Sequence, residues 1–259
     1  MTFRRIRRAV ALLIQILLFI VRFQLLRFGG PLTLERRARW VQQTARAMLA
    51  SLDITYKIEG RPATHGLVVS NHLSYIDILV LSAEMPCFFV AKIEIGGWPF
   101  FGKAARCGGT IFVDRSSLAS AQSVAEQMTE RLKLPIAVPV LLFPEGTSTD
   151  GKEVIRFHSR LIDPATSLGV PITPAAIRYK VGDGTPEIEL CWYGDETFVN
   201  HLWKVLGVGG FEADVRFGEP RVYTDRRVAA DKTWAEITAM RRECAGAAVR
   251  RAGNRKCRD

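Results

Sequence analysis

The spacing of apolar positions changes along the chain, and each change marks a different kind of element. Residues 9–21 read AVALLIQILLFIV, with Gln15 the one polar side chain. Arg4, Arg5, Arg7 and Arg8 precede this run, and Arg22 and Arg27 follow it. The pattern predicts a helix that stops at Gly29-Gly30-Pro31. Residues 32–52 place Leu34, Ala38, Val41, Ala45, Met48 and Leu52 mostly three or four apart, the spacing of an amphipathic helix, with Thr33 as its N-cap. After Asp53 short apolar runs alternate with helical stretches. Strands are predicted over residues 54–58, 67–70, 87–91, 110–113, 137–143, 172–179 and 187–192, and helices over 75–84, 117–134, 159–168 and 230–252. This alternation implies an α/β fold, a mixed, largely parallel sheet flanked by helices. Residues 1–52 form an N-terminal membrane-associated helical hairpin in this reading, and residues 53–259 the α/β domain. The tail 250–259 is polar and reads as frayed.

Thirteen helical residues rise about 20 Å, against a hydrocarbon core of about 30 Å. The first segment therefore fits a helix dipping into one leaflet. A full span needs extension to Phe28, with Arg22 and Arg27 snorkelling to an interface. A signal peptide shares the basic start and short apolar run, but Arg22, Phe23 and Gln24 stand where an A-x-A-like site would follow. The net charge of +10 calls for an anionic partner. Arginines beside an apolar run suit anionic lipid headgroups. No basic motif interleaved with aromatics is present, so nucleic acid is not an expected partner. Five scattered cysteines without a CxxC pair fit a reducing compartment.

The sharpest candidate chemistry is Asn71-His72-Leu73-Ser74-Tyr75-Ile76-Asp77, after the strand at 67–70 and at the start of a helix. On one continuous helix, positions five apart do not meet. With His72 in the turn and Asp77 in the first helical turn they can, and the aspartate would then orient the imidazole as a general base. Taken alone, the stretch equally suits a helix cap beside a surface histidine. No G-x-S-x-G elbow supplies a nucleophile, so a His–Asp pair here points to a nucleophile brought by the substrate. Phe143-Pro144-Glu145-Gly146-Thr147 ends a buried strand and offers a carboxylate for substrate hydroxyls. Gly109-Thr110-Ile111-Phe112-Val113-Asp114-Arg115 delivers a guanidinium to a strand end, where it can grip phosphate, and Lys92 is a second cation at such an end. Gly97-Trp98-Pro99-Phe100-Phe101-Gly102-Lys103 has P-loop spacing, but Ala104 stands where a hydroxyl is needed. It reads as an apolar surface or an acyl-chain contact. His65, His72, His158 and His201 show no zinc spacing with the cysteines, and no metal is expected.

These blocks, with Val170-Pro171-Ile172-Thr173-Pro174, occur in an order that resembles the glycerolipid acyltransferase family, of the lysophosphatidic acid acyltransferase type. The likeness covers roughly residues 55–225. It implies a membrane enzyme facing the cytoplasm, at the inner membrane, that moves a fatty acyl group from acyl-CoA or acyl carrier protein to a lysolipid hydroxyl. 1-Acylglycerol-3-phosphate is the first expected acceptor. No cofactor beyond the thioester co-substrate is implied. By the resemblance His72 is the general base and Asp77 its orienter, Arg115 and Lys92 contact phosphate, and Glu145, Gly146 and Thr147 belong to the acceptor site. Ser148 departs from the family pattern, which often has Arg there; Arg156, His158 or Arg160 would have to replace it. This variant resembles the branch that acts on lyso-ornithine lipid. Without a protein nucleophile, the implied kinetics are sequential. The oxyanion donors are expected among backbone N–H groups near a helix start.

Overall fold

The computed structural model describes residues 2–97, 101–114, 118–182, 184–243 and 249–250. Helix α1 (Thr2–Phe28) and helix α2 (Leu34–Ser51) form the expected hairpin. The Thr33 side chain accepts the Arg36 N–H and caps α2. Trp40 of α2 is buried under Phe19 and Phe23 of α1, with ring centroids 4.2 and 4.9 Å away. Arg36 reaches back to the carbonyls of Pro31 and Leu26, closing the C-terminal end of α1.

The other end of α1 is also tied down. Arg8 is buried and meets Asp53, Leu206 O and Val208 O, Arg7 pairs with Asp53, and Arg4 donates to Gly207 O. Leu206 and Gly207 end helix α8 (Phe198–Gly207), whose last carbonyls attract cations. The expectation that all four leading arginines meet lipid headgroups is corrected for Arg8, which is consumed by this internal contact. Between its fixed ends α1 exposes Phe3, Ile6, Val10, Leu13, Leu17, Val21, Leu25 and Phe28.

The body is one mixed sheet. In chain order the strands are β1 (Ile54–Glu59), β2 (Leu67–Ser70), β3 (Phe88–Lys92), β4 (Ile111–Val113), β5 (Val140–Leu142), β6 (Ile172–Val181), β7 (Phe211–Phe217) and a two-residue β8 (Val249–Arg250). Their spatial order is β4-β3-β5-β2-β6-β7-β1-β8. Strands β4, β3, β5, β2 and β6 are parallel; β7 runs against β6 and alongside β1. The all-buried β2 (LVVS) and β5 (VLL) lie at the centre, as expected of strands covered on both faces. From β2 the chain moves out through helix α3 (Tyr75–Glu84) to β3, then through the short helices α4 (Ile93–Gly96) and α5 (Phe101–Gly108) to β4, and returns through helix α6 (Leu118–Leu132) to β5. Helix α7 (Asp163–Leu168) then carries it to β6 on the other side of β2. That reversal opens a crevice beyond the carboxyl ends of β5, β2 and β6.

Two cores sandwich the sheet. On one face Leu49 and Ala45 of α2 pack with Val80 and Leu81 of α3, Ile177 and Tyr179 of β6, and Val205 and Leu206 of α8. On the other, Ala229, Ile237 and Met240 of helix α9 (Arg226–Glu243) pack with Val69, Leu142 and Ala176. Burying a side chain such as Leu49 contributes about 2 kcal/mol.

Several element expectations shift. Residues 187–192 form a 3₁₀ turn (Glu187–Leu190) and coil, not a strand, because Glu187 turns its carboxylate inward. The predicted strand 137–143 shortens to Val140–Leu142 after Pro139, which has no N–H for the ladder. Helix 159–168 splits into a 3₁₀ turn (Ser159–Leu161) and α7, with Pro164 near the start of α7. The C-terminal helix runs from Arg226 to Glu243, and Val249 pairs with Lys57 of β1 instead of extending it. Tail residues 251–259, expected to fray, lie outside the described residues, as do Trp98, Pro99 and Phe100 of the P-loop look-alike. Helix α8 and strand β7 add to the expected set. Thr197 caps α8 by accepting the Asn200 N–H, and β7 alternates Phe211, Ala213, Val215 and Phe217 with polar neighbours.

Candidate active site

Strand β2 ends at Ser70, and the next residue anchors the turn. The Asn71 amide donates to Ile177 O at 3.1 Å and accepts Ile177 N–H at 2.8 Å, joining the turn to β6. His72 follows. Its Nδ1 lies 2.8 Å from Asp77 Oδ2, as the strand-end, helix-start geometry predicts. The same oxygen accepts the N–H groups of Leu73 (2.7 Å) and Ser74 (3.0 Å), while the Tyr179 hydroxyl donates to Asp77 Oδ1. Asp77 is fully buried, and four donors hold its carboxylate. An aspartate so held fixes the imidazole tautomer with the proton on Nδ1 and leaves Nε2 as the basic nitrogen.

The imidazole stacks on Phe143, with centroids 4.1 Å apart and planes at 15°. It keeps 18% of its side-chain surface exposed, enough for a substrate atom to reach it. The backbone is gripped as firmly as the ring. Glu145 Oε1 accepts His72 N–H at 2.7 Å and Oε2 accepts Ile155 N–H at 3.0 Å. Thr149 N–H donates to His72 O at 3.0 Å, and Trp192 N–H to Leu73 O at 2.8 Å. Burial raises the Glu145 pKa to about 7, although the two backbone N–H groups pull it down. Asp77 nearby adds to the rise and Arg241 opposes it.

Of the residues the sequence singled out, His72, Asp77 and Glu145 converge on one point. Glu145 is 1% exposed and its carboxylate holds backbone, a different task from the expected contact with an acceptor. Gly146 is buried with φ of +76°, a left-handed turn that suits glycine, and its N–H closes on Phe143 O. Thr147 is exposed beside it. Lys92 is exposed at the end of β3, and two strand spacings, about 10 Å, separate β3 from β2. Arg115 lies outside the described residues. Ser148 turns its hydroxyl to Trp192 O, and Arg156 lies over the Trp234 ring at 3.7 Å and pairs with Asp231, so it is committed to α9. The N–H groups of Leu73 and Ser74 are spent on Asp77, so these two are not the oxyanion donors expected near the helix start.

Sequence reasoning missed the supports behind Asp77. Tyr179 N–H donates to Glu187 Oε1 at 2.7 Å, and Glu187 Oε2 pairs with Arg241 at 2.9 Å. Arg241 also donates to Ile177 O and to Gly151 O. Gly151 has φ of +77°, and a Cβ there would crowd Glu187 and Arg241 at 3.2 and 3.3 Å. The available signal was the inward phase of Tyr179 in β6.

A family model described as Acyltransferase matches residues 53–178, which contain the whole His72–Asp77–Glu145 constellation. The 1-acyl-sn-glycerol-3-phosphate acyltransferase of Neisseria meningitidis is 31% identical over 224 residues, covering 83% of this chain and 86% of that protein. The chain belongs to the acyltransferase family. A lyso-ornithine lipid O-acyltransferase from Rhodobacter capsulatus is 36% identical to this acyltransferase over 168 residues, 63% of the chain and 60% of the relative's length. The corresponding protein of Pseudomonas aeruginosa is 36% identical over 176 residues, 66% of the chain and 64% of its own length. The acyltransferase also shares its fold with the 1-acyl-sn-glycerophosphate acyltransferase PlsC of Thermotoga maritima. The TM-score is 0.62 at 17% identity, covering 91% of this chain and 97% of that one.

Proposed function

We propose that this acyltransferase moves a fatty acyl group from the thioester of acyl-CoA or acyl carrier protein to the free hydroxyl of a lysolipid, at the membrane surface and on the cytoplasmic side. The observation that carries the reading is the His72–Asp77 pair, held by its own backbone, with no serine or cysteine hydrogen-bonded to the ring among the described residues. His72 Nε2 takes the proton as the lipid hydroxyl attacks the thioester carbonyl. A C–O bond forms, the tetrahedral intermediate collapses with loss of the C–S bond, and the imidazolium returns its proton to the departing thiolate. Both substrates are bound together, so the kinetics are sequential. Glu145 acts in this scheme as a positioning residue for His72. Lys92 and Arg115 are the proposed contacts for the acceptor's anionic group, the phosphate of lysophosphatidic acid or the carboxylate of lyso-ornithine lipid, with Gly146 and Thr147 shaping the acceptor site.

For the acceptor, lyso-ornithine lipid is the favoured reading. Ser148 replaces the expected arginine and is used internally, and two relatives at 36% identity bear that name. Lysophosphatidic acid is the second reading, supported by the relative whose match covers the greater share of both chains. Replacing His72 with Ala is expected to cut acyl transfer by about 10²–10⁴-fold while the circular dichroism spectrum and vesicle association stay as in the wild type. Near-wild-type turnover in that variant would refute the reading. Parallel assays with lyso-ornithine lipid and lysophosphatidic acid rank the acceptors.

A further inference from the structure

On the face of the sheet opposite α1 and α2, a cleft of about 460 Å³ opens between α9, residues 151–154 and β6. Lys152, Arg178, Arg241 and Arg242 reach its wall, against the two acids Glu153 and Glu187. Two of these cations are already answered. Arg241 meets Glu187 and two carbonyls, and Lys152 meets Asp150 at 3.1 Å. Arg178, half-buried in β6, and the exposed Arg242 carry no ion pair or side-chain hydrogen bond among the described residues. Each guanidinium offers five donors in a planar fork that matches phosphate oxygens. A concave wall with excess positive charge raises the local concentration of anions.

We propose that this cleft binds the phosphate groups of the thioester donor, an assignment that rests on the acyl-transfer reading above. Two observations single out the donor. The cleft lies on the far side of the sheet from the apolar hairpin, whereas a lysolipid headgroup sits at the lipid surface, a few bonds from its own hydroxyl. The donor's phosphates instead lie a whole pantetheine arm away from the reacting carbonyl. The cleft is also close enough for that arm. Gly151 forms part of its wall, and Thr149, two residues earlier, donates its N–H to His72 O at 3.0 Å. Two residues of extended chain span at most about 7 Å. Coenzyme A and acyl carrier protein both carry a phosphopantetheine phosphate, and coenzyme A adds a second phosphate in its pyrophosphate and a third on the ribose.

The test compares palmitoyl-CoA, palmitoyl-acyl carrier protein and palmitoyl-pantetheine, which has no phosphate, using the full chain in detergent micelles with a saturating lysolipid. Arg178→Gln and Arg242→Gln are each expected to raise KM for palmitoyl-CoA about ten-fold. The preference for palmitoyl-CoA over palmitoyl-pantetheine in kcat/KM should shrink by the same factor, with the acceptor KM unchanged. Lys232→Gln, an exposed cation on α9 outside the cleft, serves as the charge control and should match the wild type. Arg242 is at the surface, so its variant keeps the test decisive if Arg178→Gln melts early. A loss with both phosphate-bearing donors supports binding of the shared phosphate, and a loss with one of them supports the cleft and names the source. Equal losses on palmitoyl-pantetheine, no loss on any donor, or a change confined to the acceptor KM would each overturn the proposal. A wild-type chain that turns over none of the three donors would overturn the acyl-transfer reading together with it; normal turnover unmoved by both variants overturns the cleft alone.

Discussion

Asp77 accepts four hydrogen bonds with no exposure to water, and each donor does a separate job. Two backbone N–H groups shape the helix start, the imidazole gains its orientation, and the Tyr179 hydroxyl holds the second oxygen. Tyr179→Phe removes one donor at constant shape. Turnover should fall about ten-fold with KM for the acceptor little changed, and the acid limb of the pH–rate profile should move; a drop in melting temperature with the profile unmoved would make Tyr179 purely structural. Glu145 carries a different signature. Its folded pKa, raised to about 7, lies above the ordinary glutamate value of about 4.3, so the folded state holds this proton more tightly than the unfolded state. Its contribution is most favourable at low pH and is lost as the pH rises from about 4.5 through 7, by an amount on the order of 3 kcal/mol. Urea titrations of wild type and Glu145→Gln across that range should show the wild-type stability falling relative to the variant. Parallel curves would remove Glu145 from the pH dependence.

At the scale of elements, the site depends on α9, which contributes no atom to the reacting pair. Arg241 links α9 to β6 at Ile177 O, to the loop at Gly151 O and to Glu187. Arg241→Gln leaves Glu187 without its cation at a site where Arg241 is 10% exposed, and should cost about 3 kcal/mol in chemical denaturation. Lysine should restore little, because it lacks the fork that meets three partners. This dependence also explains what the sequence could reveal. His72 and Asp77 are five residues apart, so their pairing follows from local turn geometry, whereas Glu145 reaches the His72 N–H across 73 residues and its hold on that backbone was not legible. Tyr179 lies 102 residues from Asp77, and Arg241 lies 54 from Glu187. Periodicity shows that Tyr179 faces inward but not which element it meets. The sheet as a class was legible from alternating strands and helices. The missed β7 had the alternation of a strand, and so did Glu187-Ile188-Glu189-Leu190, which turns as a 3₁₀ helix instead because Glu187 serves tertiary partners that periodicity does not show.

At the scale of the molecule, α1 is the candidate for membrane attachment in the proposed function. Its 27 residues rise about 40 Å, long enough to cross a bilayer, yet both ends are fastened to the body, through Arg8 and Asp53 at one end and Arg36 at the other. With both ends fastened, α1 lies along the domain with one apolar stripe exposed, a shape that suits insertion into a single leaflet. Replacing Leu13 and Leu17, both exposed, with Glu should abolish co-sedimentation with anionic vesicles and leave the melting temperature within about 2 °C of the wild type. Vesicle binding that survives the double change would assign attachment to another surface. Because Trp40 sits under Phe19 and Phe23, the stripe cannot peel away from α2 without wetting an indole. On the proposed membrane such a hairpin would act as a keel of fixed draught, setting how high above the lipid the crevice rides.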